Sequence, residues 1–234
     1  IDGGKTWKKT LGNSQWTGVT DIMLDPRDPD VIYAATWDRH RTVAALIDGG
    51  PGTAIYRSDN GGESWSVLKN GLPNNPDSND DGVVDDDDSP TKNMGKIGLA
   101  ISPQNPDVVY AAIELDRSTG GVYRSENRGE SWKKMSNTVS GATGPHYYQE
   151  LYASPHKFDR LYLMNVQILT SEDGGKTFRT LEGARQKHSD HHAIVFKESD
   201  PDYIMVGTDA GIYESFDLAQ NWHYFLNLPL TQFY

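Results

Sequence analysis

The densest chemical pattern in the chain is the segment Asp77 to Asp88. Asp77, Asn79, Asp81, Gly82, Asp85 and Asp88 stand at positions 1, 3, 5, 6, 9 and 12 of twelve residues, and Val83 offers its carbonyl at position 7. Alternating oxygen ligands at this spacing converge on Ca2+, with the glycine allowing the sharp turn. Seven of the twelve residues are Asp, so the same composition also fits a solvated acidic loop. A divalent cation would neutralise carboxylates that otherwise repel one another, and its expected role is structural.

A second cluster is His188, Asp190, His191 and His192. In an extended chain His188, Asp190 and His192 would share one side and His191 the other. Imidazoles and a carboxylate this close can hold a transition metal, or form a hydrogen-bonded cluster in which Asp190 fixes the tautomers. Trp37, Asp38, Arg39, His40 and Arg41 lie together in a long connection, Thr36 to Thr53. They could stack a sugar or clamp a carboxylate, or tie the loop to itself. Tyr147 and Tyr148 precede a predicted inner strand, where they fit carbohydrate or peptide recognition as well as packing. Asp38, Glu114, Asp190 and Asp209 are the candidate carboxylates for acid–base chemistry on the same face.

These groups are positioned by a repeat. The skeleton Ser, any, Asp or Asn, any, Gly, any, Thr or Ser, aromatic occurs at Ser58–Asn60–Gly62–Trp65, at Ser125–Asn127–Gly129–Trp132 and at Ser171–Asp173–Gly175–Phe178. It returns in worn form from Ser215 to Trp222, and its tail opens the chain at Trp7. The aromatics are spaced by 58, 67, 46 and 44 residues, which marks a repeat architecture. Each unit begins with two runs joined by a Pro/Asp/Asn turn, as in DIMLDPRDPDVIYAATW from Asp21, a hairpin pattern. A third strand leads into the skeleton and a fourth leaves it. Four short strands per unit predict an all-β fold, a β-propeller of four-stranded antiparallel blades.

The skeleton resembles the Asp-box, or BNR repeat, and the flanking phrases look like sortilin-like propellers of secreted bacterial proteins loosely described as glycosyl hydrolases. The acidic segment, with Asp at position 12, is similar to the calcium loops of dockerins and thrombospondin type 3 repeats. The box residues are expected to be structural. The side chain at its Asp or Asn position accepts N–H bonds across the turn, the glycine takes positive φ, and the aromatic fills the gap between neighbouring sheets. The last box, with Ala219 for Gly and Asn221 for Thr, is expected to close a looser turn.

The expected organisation is the end of a blade (1–10), a blade with a long loop (18–71), the acidic insertion (72–95), blades at 96–137, 146–183 and 188–228, and the start of another (229–234). Such a chain reads as a piece of a longer propeller. Box turns and first hairpins should share one face, leaving the opposite, top face for long loops and function.

A formal charge of −11 disfavours nucleic acid. The chain contains no Cys, and no run approaches the ~18 apolar residues of a membrane helix. Arg57 and Arg124 lie on third strands, away from the axis, so the arginine cluster of sialidases is not met. The reading preferred from sequence is a non-catalytic extracellular propeller, secreted, periplasmic or at the cell surface, that recognises a protein, peptide or glycan. The alternatives are a glycoside hydrolase acting on a polysaccharide and a structural part of an extracellular assembly.

Overall fold

The structure is a computed structural model and describes residues 2–12, 14–75, 92–115, 119–141, 147–183 and 185–228. The acidic segment from Asp77 to Asp88 lies outside the described residues, as does 229–234. Every regular element among the described residues is a strand. The first sheet contains β1 (Thr17–Asp25), β2 (Asp28–Arg41), β4 (Ile55–Ser58) and β5 (Ser66–Leu68) in that order, with β3 (Leu46–Asp48) paired to the end of β2. The second runs β6 (Ile97–Ile101), β7 (Val109–Leu115), β8 (Thr119–Ser125), β9 (Lys133–Ser136). The third runs β10 (Leu151–Ala153), β11 (Leu161–Leu163), β12 (Leu169–Ser171), β13 (Arg179–Thr180). The fourth runs β14 (His191–Lys197), β15 (Asp200–Thr208), β16 (Gly211–Ser215), β17 (His223–Tyr224). All pairings within them are antiparallel.

The period of two in the strands separates three cores. Strand β7 is buried along its whole length. Its Val109, Ala111 and Ile113 join Tyr33, Ala35 and Ile55 of the first sheet. Its Tyr110 and Ala112 face Leu151, Leu161 and Leu163 of the third. The third sheet turns Tyr162 the other way, onto Ile194, Ile204 and Val206 of the fourth. Consecutive sheets therefore stack face to face, and their first strands adjoin: the Leu99 N–H donates to Asp21 Oδ2 at 2.7 Å, and Lys96 Nζ pairs with Glu150 Oε1. This is the blade arrangement of a propeller, present among the described residues as four sheets.

The box turns close as the residue types dictate. Ser125 Oγ donates to Asn127 Oδ1 at 2.8 Å and accepts the Gly129 N–H at 2.8 Å, while Ser131 N donates to Asn127 Oδ1 at 2.9 Å. The Ser58 and Ser171 turns repeat this set. The expectation of a looser last turn is not met. Ser215 Oγ donates to Asp217 Oδ1 and accepts from Ala219 N, both at 2.9 Å, and Asn221 N donates to Asp217 Oδ1 at 2.8 Å. Ala219 takes φ +72° and is fully buried in the core between the third and fourth sheets. Its methyl fits there, whereas a Cβ on Gly129 would come within 2.7 Å of Leu68 Cδ1.

Three box aromatics pack back onto the preceding sheet. Trp132 joins the first core, Phe178 the second and Trp222 the third. Trp65 reaches Thr10 of the opening segment. Trp7 departs from the wedge expectation: its ring is 90% exposed, and only its Nε1 is held, by the Gly4 carbonyl.

Two segments differ from the sequence reading. The connection from Thr36 to Thr53 was expected as a loop, but β2 continues through Trp37 to Arg41 and pairs with β3 (His40 with Ile47). The His-rich phrase is not extended throughout. β14 begins at His191, and Asp190 before it has φ +64°, so the predicted alternation breaks there.

Candidate functional site

The hairpin turn of the first sheet and the boxes lie on one face, where Asp25 binds Arg27 and Arg128. The opposite, top face carries the ends of the second strands and the crossovers into each sheet. Four candidate carboxylates map there, and the structure gives them different fates.

Asp38 is held by Thr17 Oγ1 on Oδ1 and by the Gly52 N–H on Oδ2 at 2.7 Å. Its own N–H donates to Thr53 Oγ1 at 2.9 Å. The side chain pins the Gly49–Gly52 turn to β2. Glu114 is 0% exposed and receives the Lys96 N–H on Oε2 at 3.2 Å. A side chain on Gly95 would collide with that carboxylate. Asp190 accepts Tyr148 OH on Oδ1 and Ser189 Oγ on Oδ2, each at 2.5 Å. Burial alone would raise its pKa, but those two hydroxyls, together with the neighbouring His188 and His191, hold the carboxyl below its ordinary range. Asp209 is different. Its side chain is 40% exposed and accepts from His192 Nε2 at 2.7 Å.

The histidines go three ways. His192 stacks on Tyr148 with ring centroids 5.6 Å apart and planes at 18°. His188 donates Nδ1–H to the Ser189 carbonyl at 2.8 Å. His191 is fully buried and donates Nδ1–H to Val166 O at 3.0 Å. Burial pushes its pKa down to about 4. Among the described residues no three His, Asp or Glu side chains converge as metal ligands. What forms instead is a chain from Asp209 through His192 and Tyr148 to Asp190, joined also by the Asp209 N–H to the Asp190 carbonyl at 3.1 Å. Tyr147, 48% exposed, meets Tyr148 edge-on at 6.5 Å.

The cluster on β2 lines a cleft of about 470 Å3 with Trp16, Ile47 and the Gly49–Gly52 turn. Trp37 is not part of its surface. It is 6% exposed, with Arg39 stacked over it at 5.1 Å. His40 meets Trp16 edge-on at 3.9 Å. Arg41 is exposed at the end of β2.

Two features escaped sequence reasoning. Trp16, 49% exposed, has no counterpart in the other repeats. Asp21, Lys96 and Glu150 line a cavity of about 80 Å3 where three inner strands meet. Burial raises the Asp21 pKa, only partly offset by the Leu99 N–H. Aligning DIMLDP from Asp21 with ELYASP from Glu150 places the two acids at equivalent positions, a signal available in the repeat.

Residues 120–227 match the family model described as Sortilin, neurotensin receptor 3. Xyloglucanase Xgh74A of Acetivibrio thermocellus is 26% identical over 246 aligned positions, covering 94% of this chain and 27% of that protein. The oligoxyloglucan-reducing end-specific xyloglucanase of Emericella nidulans is 26% identical over 145 positions, covering 55% of this chain and 17% of that protein. The chain thus spans between 17% and 27% of the length of these curated relatives. Among solved structures, the GH74 xyloglucanase from Xanthomonas campestris superposes with a TM-score of 0.56 at 19% identity, over 90% of this chain and 31% of that one. YCF48 from Cyanidioschyzon merolae gives 0.52 at 11% identity, over 93% of this chain and 58% of that one. At these identities the superpositions establish the propeller fold and nothing of activity.

Proposed function

We propose that this chain is part of an extracellular, propeller-type glycoside hydrolase acting on a polysaccharide, with the top face as the substrate surface and Asp209 as a participating carboxylate. The single observation that carries the residue assignment is accessibility. Asp209 combines a 40% exposed side chain with one side-chain partner among the described residues, His192, beside the Tyr147–Tyr148 pair. Asp38, Glu114 and Asp190 are committed to the fold. Curated relatives that carry the name xyloglucanase support the class of substrate. An extracellular location is proposed together with the polymer substrate.

In the reaction, water adds to the anomeric carbon as its proton passes to one carboxylate, and the departing glycosidic oxygen takes a proton from a second carboxyl group. Asp209, accepting from His192 Nε2, is assigned the first role. Tyr148 holds the imidazole by stacking and is itself held by Asp190. The test is release of reducing ends from xyloglucan by the full-length protein. Asp209→Asn should lower kcat by about 10²–10⁴ while leaving thermal stability unchanged. A variant as active as the parent overturns the assignment.

The sortilin-type match over residues 120–227, which includes Asp209, favours a second reading: a propeller that binds its partner without cleaving it. Glycan or peptide binding with no turnover by the intact protein would select it.

A further inference from the structure

Trp16 stands apart from the Asp209 site. It belongs to the first sheet, and Asp209 to the fourth. Its indole is 49% exposed, yet its backbone is fixed on both sides. Its N–H donates to Ser14 Oγ at 3.0 Å, and its carbonyl accepts the Arg39 N–H at 3.1 Å. His40 supports the ring from the side at a centroid distance of 3.9 Å. An exposed aromatic held this firmly loses little freedom when something stacks on it.

The facing wall is built from glycine. Gly50 N donates to Met94 O at 3.2 Å, and Gly52 N to Asp38 Oδ2 at 2.7 Å. A Cβ on Gly50 or Gly52 would stand 2.6 Å and 2.5 Å from Asp38 oxygens, so neither position admits a side chain, and Pro51 lies between them. The enclosed space, about 470 Å3, lies within the roughly 300–1,000 Å3 of small-molecule sites. Its lining combines the indole with hydroxyl and imidazole groups of Ser14 and His40. Both oxygens of Asp38 are engaged, and Arg39 is stacked on Trp37. An apolar platform, a low wall at Gly50–Gly52, polar groups at Ser14 and His40 and a chain of net charge −11 together select an uncharged ligand with an apolar face and a hydroxylated edge.

We propose that this cleft is a remote subsite in which one ring of a neutral polysaccharide stacks on Trp16, away from the point of cleavage. The assignment rests on the glycan-acting reading above in its choice of polymer, but it is tested by binding rather than turnover. Titration calorimetry of the full chain with neutral xyloglucan oligosaccharides should give a Kd that rises roughly three- to tenfold in Trp16→Ala. Trp16→Phe should recover most of the affinity, with folding of each variant checked by its thermal transition. Equal affinities for the parent and Trp16→Ala overturn the subsite, as does tighter binding of polygalacturonate than of xyloglucan oligosaccharides. No glycan binding by the parent also overturns it. Asp209→Asn separates the two readings. Trp16-dependent binding without any hydrolysis by the parent leaves the subsite standing and removes the enzyme. Hydrolysis that needs Asp209, with binding indifferent to Trp16, does the reverse.

Discussion

Replacing Asp38 distinguishes a carboxylate that does chemistry from one that holds a loop. Its two oxygens accept from Thr17 Oγ1 and from the Gly52 N–H. Hydrogen bonds to a charged group contribute about 1.5–3 kcal/mol each. The side chain is only half-buried, so the low end applies, and Asp38→Ala should destabilise by about 2–3 kcal/mol. Asp38→Asn should cost less than about 1 kcal/mol. The amide oxygen can still accept from Gly52 N, and its NH2 can donate to Thr17 Oγ1. Urea unfolding followed by tryptophan fluorescence measures both, and xyloglucan turnover is measured on the same preparations. The reasoning predicts a graded loss of stability, Ala well beyond Asn, and near-parental turnover for Asn. An Asn variant of unchanged stability but abolished turnover would make Asp38 a reacting group and refute the loop-pinning assignment.

Two further outcomes are expected. His191 is buried with its pKa lowered to about 4 from an ordinary 6.5; between these values the unfolded chain binds the extra proton, so stability falls as pH drops from 6.5 to 4. The full drop is about 3 kcal/mol. His191→Gln should flatten that part of the pH–stability curve, and an unchanged curve would count against the burial. For the acidic segment from Asp77 to Asp88, we propose structural Ca2+ binding. Calcium at a hundredfold excess over its Kd should then add about 2.7 kcal/mol, read as a melting temperature that falls with EGTA and returns with calcium; a temperature indifferent to both rejects the site.

Much of the fold was legible because it is local and repeated. The hairpin phrase from Asp21 pairs in the register its turn implies, with Ile22 opposite Ala34 and Met23 opposite Tyr33. The Ser–x–Asn–x–Gly turns close with the expected bonds because donor and acceptor are two to four residues apart. The continuation of β2 was not legible. WDRHR is too polar to read as a strand, and only its pairing with Leu46–Asp48 makes it one. The break before β14 was hidden because Asp190 carries φ +64° without a glycine to announce it.

The candidate site was legible in its residue types but not in their availability. Asp38, Glu114, Asp190 and Asp209 look equivalent in sequence, each near the end of a second strand or the start of a first. What separates them is supplied from elsewhere in the chain. Gly52 lies fourteen residues from Asp38 and presents a bare N–H to it. Gly95 leaves room for the Glu114 carboxylate. Tyr148 reaches Asp190 from forty-two residues away. Among the described residues the Asp209 carboxylate meets His192, seventeen residues back, and keeps its exposure. Three of the acids are consumed by contacts that no spacing rule encodes, because their partners are backbone N–H groups and hydroxyls brought in from elsewhere in the chain. Restoring a side chain at Gly52 should therefore free Asp38 at the expense of its loop, whereas no single glycine governs Asp209. That asymmetry is the physical ground for assigning the chemistry to the fourth sheet and ligand recognition, through Trp16, to the first.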